Sequence, residues 1–384
     1  MAGIAILGAG IFAKEAHLPA LASLPPSTYS LKAVYSRSQA SAQSLADAAS
    51  TTLSLSPSTI GVYYDSPSSP SHSLSSLLSR SDIAAVIVVL PITTQPGIIL
   101  QSLEAGKNVI SEKPIAPTVA IALDLIKTYE SKYEPKGLIW RVAENHECEP
   151  GYRKAGELIE EGRVGKVIGF GANMVNYIDK DSKWYNTPWR TIPDYQGGFL
   201  LDGGVHFAAA LRTILGPSYP LSKLSAFSAL HKSWLLPHDT INAVIRCSTA
   251  ASTEASSAPQ GTYNLTFAAP SSSAGKSNGY TIIGTTGFLI IDKLQSSIRI
   301  TLTTVKVDPV TGKDLGEEVE VWEEKQCGVK MELREFLGAV RGEKGWEVGK
   351  PREAVKDVAI IQASLESEGR LVDLERLVEV GSTF

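Results

Sequence analysis

Residues 3–13 read Gly3-Ile4-Ala5-Ile6-Leu7-Gly8-Ala9-Gly10-Ile11-Phe12-Ala13. An apolar run with strand character feeds a G-x-G-x-x-A turn, and the spacing predicts a helix over residues 11–24, closed by Pro25-Pro26. Gly8 suits the tight turn, Gly10 leaves the backbone bare for a pyrophosphate, and Ala13 lets the helix lie close to the sheet. The first turn of such a helix offers unpaired N–H groups to phosphate oxygens. Gly and Ala are common, so the hexapeptide gains its meaning from its place at the start of a βαβ unit.

Outward from this stretch the alternation continues. Strands are expected at 31–36, 83–90, 108–111 and 138–144, and helices at 38–49, 96–105 and 119–130. The run 83–90 is almost wholly β-branched or apolar, as suits a parallel strand buried on both faces. Strands alternating with helices indicate a doubly wound parallel sheet, an α/β Rossmann domain over residues 1–147. After Pro150 the pattern changes. One helix (152–161) precedes strands at 167–178, 224–230, 240–248, 262–268, 280–283, 288–292, 298–305 and 318–322. Consecutive strands joined by turns predict an α+β domain over 148–384 with a large open, mostly antiparallel sheet. Two last helices, 330–341 and 351–368, are expected to pack against one of the domains. Ser-rich tracts at 36–58, 66–81, 248–257 and 271–277 read as solvated loops and linkers.

With 384 residues, two domains are the default expectation. Lys plus Arg is 36 and Asp plus Glu is 40, a net charge of −4, which argues against nucleic acid as a partner. Cys148, Cys247 and Cys327 lie too far apart for a disulfide framework or a zinc site, so no metal is expected and a reducing compartment is. No leader pattern opens the chain, and the longest apolar stretch falls far short of the roughly 20 residues that cross a bilayer. No membrane partner and a cytoplasmic location are expected. The terminal Ser382-Thr383-Phe384 does not resemble the peroxisomal tripeptide.

An NAD site places Asp or Glu at the end of the second strand to hold the ribose 2′-hydroxyl. Here the strand ends in Ser36-Arg37-Ser38, with no carboxylate. Arg37 can make charge-assisted hydrogen bonds to a 2′-phosphate, so NADP(H) is favoured over NAD(H). The alternative is that Arg37 merely begins an exposed helix.

Glu112-Lys113-Pro114 follows the strand 108–111 at the carboxyl edge of the sheet, where α/β folds bind ligands. A lysine there can bond a ribose hydroxyl and a substrate together; a surface Glu-Lys pair before a turn proline is the plain alternative. A second cluster runs from Gln196-Gly197-Gly198 to Asp202-Gly203-Gly204-Val205-His206, ahead of an apolar helix over 207–215. Asp202 and His206 share one helix face if that segment is helical, and a carboxylate near an imidazole favours its protonated form. Gly203 and Gly204 are poor helix residues, which suggests close approach to a ligand. A helix cap at Asp202 with a structural His206 is the competing reading.

Taken together, Gly8-x-Gly10, Glu112-Lys113-Pro114, Asn145-His146 and Gly197-Gly198…Asp202…His206 resemble the glucose–fructose oxidoreductase/inositol dehydrogenase (Gfo/Idh/MocA) family, in order and spacing over essentially the whole chain. Thr187-Pro188-Trp189-Arg190 and Tyr195-Gln196-Gly197-Gly198 bring it nearest to fungal-type members. The resemblance implies a Rossmann domain followed by an open sheet with the active site between them. It implies an NAD(P)-dependent oxidoreductase acting on the hydroxyl or carbonyl group of a sugar, polyol or related small molecule. Lys113, Asp202 and His206 would then carry the chemistry, and Gly8, Gly10, Ile11, Phe12, Ser36, Arg37, Leu90, Pro91, Glu112, Lys113 and Asn145 would hold the cofactor. Trp184, Tyr185, Trp189 and Arg190 lie on the loop leading into the Asp202–His206 segment and either line the substrate pocket, Trp189 as an aromatic face for a sugar and Arg190 for an anionic group, or pack the domain or an oligomer interface; His146 is the further substrate-binding candidate. His146 stands where the family often has another aromatic, which points to a different substrate. Family members pair their open sheets, so a homodimer or homotetramer is expected. Two alternatives stand beside this reading: a reductase of an imine, enal or ketone, and a cofactor-binding regulator that has lost catalysis.

Overall fold

The structure is a computed structural model and describes residues 1–248, 258–308 and 310–384. It divides into two compact units. The first comprises Met1–Pro117, Ile121–Asn145 and Gly328–Val355, and the second Thr118–Ala120, His146–Cys327 and Lys356–Phe384. Residues 328–355 thus return to the first unit before the chain re-enters the second at Lys356.

In the first unit, β1 (Ala2–Leu7), β2 (Tyr29–Ser36), β3 (Gly61–Tyr64), β4 (Ala85–Val88), β5 (Asn108–Glu112) and β6 (Trp140–Ala143) form a parallel sheet in the order β3-β2-β1-β4-β5-β6. Ile4, Ile6, Val34, Ile87 and Ile110 are buried in its core. The sheet order reverses direction between β1 and β4, the switch point at which such sheets bind dinucleotides. Its helices are α1 (Leu18–Ala22), α2 (Gln39–Leu53), α3 (Leu74–Leu78), α4 (Gln95–Glu104) and α5 (Val119–Lys132), the last shared with the second unit.

Several local expectations need correction. The segment expected as one helix over 11–24 begins as a π-helical turn, Ala13–His17, and becomes α-helical only at Leu18. Pro19 has no N–H to donate back to the preceding turn, which loosens the ladder there. The strand expected over 83–90 is trimmed to Ala85–Val88. Most of the Ser-rich tract 36–58 is helix α2, capped where the Ser38 side chain accepts from the Ser41 N–H. The edge strand β3 went unread because its four residues sit between Ser-rich stretches. The tract 248–257 lies, from residue 249, outside the described residues.

The second unit carries a nine-stranded sheet. Its strands are β7 (Val167–Val175), β8 (Leu221–Ala229), β9 (Thr240–Cys247), β10 (Gln260–Thr266), β11 (Gly279–Gly284), β12 (Gly287–Lys293), β13 (Ser297–Val307), β14 (Asp314–Lys325) and β15 (Val372–Asp373). Their order is β14-β13-β12-β11-β7-β10-β9-β8-β15, antiparallel except for the β7–β10 pair. Its helices are α6 (Pro150–Glu160), α7 (Pro188–Thr191) and α8 (Phe199–Leu215). A ninth helix, α9 (Gly328–Val340), belongs to the first unit; α10 (Pro351–Glu366) is shared and α11 (Leu374–Val380) closes the chain. Neither β15 nor α11 was expected. Among the described residues no helix is long and apolar enough to cross a membrane.

One face of the second sheet carries α6 and α8. The tyrosines Tyr263 and Tyr280 reach up from it and donate to the Gly204 and Phe207 carbonyls of α8, each at 3.1 Å. On the opposite face one row crosses eight strands: Ser225, Val244, Thr262, Gly171, Thr281, Ile290, Thr301 and Val321. Every member of that row is uncharged, and Val244 and Val321 are 54% and 58% exposed.

Helix α8 begins eight residues earlier than the 207–215 expectation, so Gly203 and Gly204 lie inside it. The reason for two glycines is packing. A Cβ on Gly203 would meet the Phe267 ring at 2.7 Å, and one on Gly204 would meet Leu265 and Ile361 at 2.9 Å. The close approach inferred from them is therefore to the protein's own side chains and not to a ligand. Replacing Gly203 with Val should lower the melting temperature through overpacking of about 1–3 kcal/mol. A thermal melt of the variant indistinguishable from wild type would contradict this account.

Candidate active site

The cofactor residues named from the sequence collect at the carboxyl ends of the first unit's strands. At the end of β1, Gly8 has φ +117°, and a Cβ there would lie 2.0 Å from the Val89 carbonyl oxygen. Only glycine fits that approach. A Cβ on Gly10 would meet nothing within 4 Å, so the turn opens a bare surface of the kind a pyrophosphate needs, while Ala13 is buried. Ser36 and exposed Arg37 end β2, Leu90 and Pro91 follow β4, Glu112 ends β5 and Asn145 follows β6. Ile11 and Phe12 are half-buried on the turn itself. Lys113 is half-buried directly after β5, and its bond to Pro114 is cis. These residues fit a dinucleotide.

His17 escaped the sequence reading. Its ring is fully buried, and its Nε2 lies 2.7 Å from Glu112 Oε1. Glu332 of α9 joins them: the three residues each bring one ligand-type atom within 4.8 Å of the others, all buried. A buried carboxylate needs a partner, and the His17–Glu112 bond ties the turn after the Gly-rich segment to the strand end that carries Lys113.

In the second unit, Asp202 and His206 lie one turn apart on α8, as their spacing predicted. Asp202 is not a cap: Gly198 holds that position, with φ +50°. The Asp202 carboxylate accepts from Arg190 Nε at 2.7 Å, with both side chains largely buried. Arg190 in turn lies over the Trp189 ring at 4.1 Å and faces Trp184 at 5.5 Å. The positive charge expected to meet an anionic substrate is thus matched by Asp202. Burial and the nearby Asp202 carboxylate hold the phenol of Tyr195 far above the ordinary tyrosine range. Tyr185 packs edge-on against Trp234 at 4.8 Å.

His206 is half-buried and stacks on His146 with ring centroids 4.6 Å apart. His146 Nε2 lies 3.1 Å from the Lys293 ammonium. An ammonium has only donors, so this nitrogen accepts in that contact. Lys293 gave no signal in the sequence; 147 residues separate it from His146.

Profile comparison agrees with the fold. The oxidoreductase family with an NAD-binding Rossmann fold matches residues 2–135, and its C-terminal α/β domain matches residues 156–374. The chain belongs to the Gfo/Idh/MocA oxidoreductase family. It is 38% identical over 372 residues to the dehydrogenase FPY6 of Fusarium mangiferae, covering 96% of each chain. To the scyllo-inositol 2-dehydrogenase (NAD+) of Bacillus subtilis it is 27% identical over 140 residues, 36% of this chain and 37% of that one. An oxidoreductase from Thermotoga maritima shares the fold with a TM-score of 0.78 at 27% identity, covering 98% of this chain and 99% of that one.

If the His17–Glu112 bond anchors the site, His17→Leu should leave a buried carboxylate without its imidazole and cost about 3–5 kcal/mol of stability. His17→Gln retains an amide donor and should recover part of the loss. Urea unfolding of the two variants measures both, and equal midpoints for His17→Leu and wild type would remove the anchor.

Proposed function

We propose that this chain is an NADP(H)-preferring dehydrogenase or reductase acting in the cytosol on a sugar, polyol or related hydroxyl or carbonyl compound. The observation that carries this reading is the stacked pair His146–His206. Because His146 Nε2 faces the Lys293 ammonium and can only accept from it, the proton exchanged with a substrate is assigned to His206, whose ring stacks on His146. His206 then accepts the proton of a substrate hydroxyl in oxidation, or returns it to the oxygen in reduction. The nicotinamide, when bound, supplies the site that accepts or donates the hydride. Lys113 orients substrate oxygen and ribose together, and Asp202 contributes its charge from a position fixed by Arg190. Arg190 acts on the substrate chiefly through the aromatic wall it forms with Trp184 and Trp189, whose faces suit the C–H faces of sugars. The kinship with an inositol dehydrogenase supports a polyhydroxylated substrate.

Arg37 supports NADP(H): it is the cation at the end of β2, and no carboxylate precedes it on that strand. Arg37→Ala should weaken NADPH binding by on the order of 1–3 kcal/mol while leaving NADH nearly unchanged. Fluorescence titration with both cofactors reads this directly, and a wild-type preference for NADH would refute it.

For the chemistry, Lys113→Met and His206→Ala should reduce turnover by at least about a hundredfold with NADPH affinity nearly intact, and Asp202→Asn should lower it less. Normal turnover in both the Lys113 and His206 variants, assayed against sugars, polyols and ketones, would sink the mechanism.

The uncharged row across the open sheet face supports association with a second copy, as a homodimer or homotetramer. The paired substitution Val244→Asp and Val321→Asp should shift sedimentation at micromolar concentration toward the monomer. A wild-type chain already monomeric there would refute the pairing.

A further inference from the structure

The acidic residue missing from the end of β2 is supplied by its neighbour. β2 and β3 run parallel with Ser36 opposite Tyr64, so the next residues, Arg37 and Asp65, emerge side by side at the carboxyl edge. The Asp65 N–H donates to the Arg37 carbonyl at 3.3 Å, which extends the ladder by one step. The Asp65 side chain is also held: its Oδ2 accepts from the Tyr35 hydroxyl at 2.8 Å. Tyr35 is itself buried in β2, so the phenol is a fixed post. Burial first, and then the Asp65 carboxylate, raise that phenol well above its ordinary range, and the Arg37 guanidinium opposes them. All three groups therefore share one locality, and the phenol remains a donor to the carboxylate.

This is the edge at which a Rossmann domain meets the adenosine ribose. A carboxylate there accepts from a ribose 2′-hydroxyl and repels a 2′-phosphate; a guanidinium does the reverse. We propose that Asp65, positioned by Tyr35, is a second determinant of cofactor selectivity that moderates the preference set by Arg37, so that the chain accepts both the phosphorylated and the unphosphorylated dinucleotide. The inference rests on the reading of Arg37 given above. Asp65 and Arg37 are both exposed, so solvent screens their effect and its size is moderate.

The test uses the full chain at low ionic strength and titrates NADPH and NADH against wild type, Asp65→Asn and Arg37→Ala. Asparagine keeps the shape and an acceptor for Tyr35, so the edge retains its packing. The ratio of the NADH to the NADPH dissociation constant should rise by roughly threefold to tenfold in Asp65→Asn, mainly through tighter NADPH, and the rise should shrink in high salt. An unchanged ratio in Asp65→Asn, or a shift toward NADH, overturns the proposal. Arg37→Ala separates the two readings. Loss of selectivity in that variant with no response in Asp65→Asn defeats this inference alone. Equal weakening of both cofactors in Arg37→Ala defeats the assignment of Arg37, while the Asp65→Asn ratio still reports whether the carboxylate opposes the phosphate.

Discussion

A carboxylate cannot leave water without a partner, and Glu112 is a carboxylate buried at the end of a central strand. Its bond to His17 meets that demand and fixes more than itself. His17 ends the turn that follows Gly8 and Gly10, so the Gly-rich backbone after β1 and the Lys113 end of β5 are joined through one 2.7 Å contact. The strands themselves are not neighbours, since β4 lies between them. The side-chain bond therefore links the ends of two strands, β1 and β5, that share no backbone ladder. The helix α9 adds Glu332 to the same buried cluster, which gives the first unit a reason to recruit the segment between β14 and β15 of the second sheet.

The second unit meets a different constraint. Helix α8 must lie close to its sheet while presenting Asp202 and His206 along one face. Two glycines let Phe267, Leu265 and Ile361 press against the helix backbone, and two tyrosines bond helix carbonyls from below. Helix propensity at Gly203 and Gly204 is sacrificed for contact, an ordinary case of tertiary packing overriding local preference. The result is a helix held tightly to its sheet, on which a carboxylate and an imidazole stand one turn apart.

What the sequence disclosed follows from the range of each signal. Gly8-x-Gly10 after an apolar run, the β-branched stretch before Leu90 and the four-residue spacing of Asp202 and His206 are local patterns, and each led to the right class of structure. The class of fold and the family were legible from them. Strand ends and helix starts were less so: Pro19 reshaped the first helix, and packing moved the start of α8 upstream to Phe199. The partners of the site residues were hidden for a simpler reason. His17 and Glu112 are 95 residues apart, and His146 and Lys293 are 147 apart. No periodicity connects such pairs; only the fold does.

The carboxyl edge of the first sheet is likewise more than the end of one strand. A rule based on the end of β2 asks whether an acid or a base stands there, and in this chain it finds Arg37. A parallel sheet, however, presents the ends of adjacent strands within about 5 Å of one another. The charge felt at that edge is consequently a sum over neighbours, and Asp65 contributes to it from the strand beside. Such a sum is tunable: a carboxylate fixed by a buried phenol changes the balance without touching the Gly-rich turn or Asp202 and His206 on α8. On the reading proposed above, cofactor preference and chemistry can then vary independently, because Arg37 and Asp65 follow β2 and β3 whereas Asp202 and His206 stand on α8.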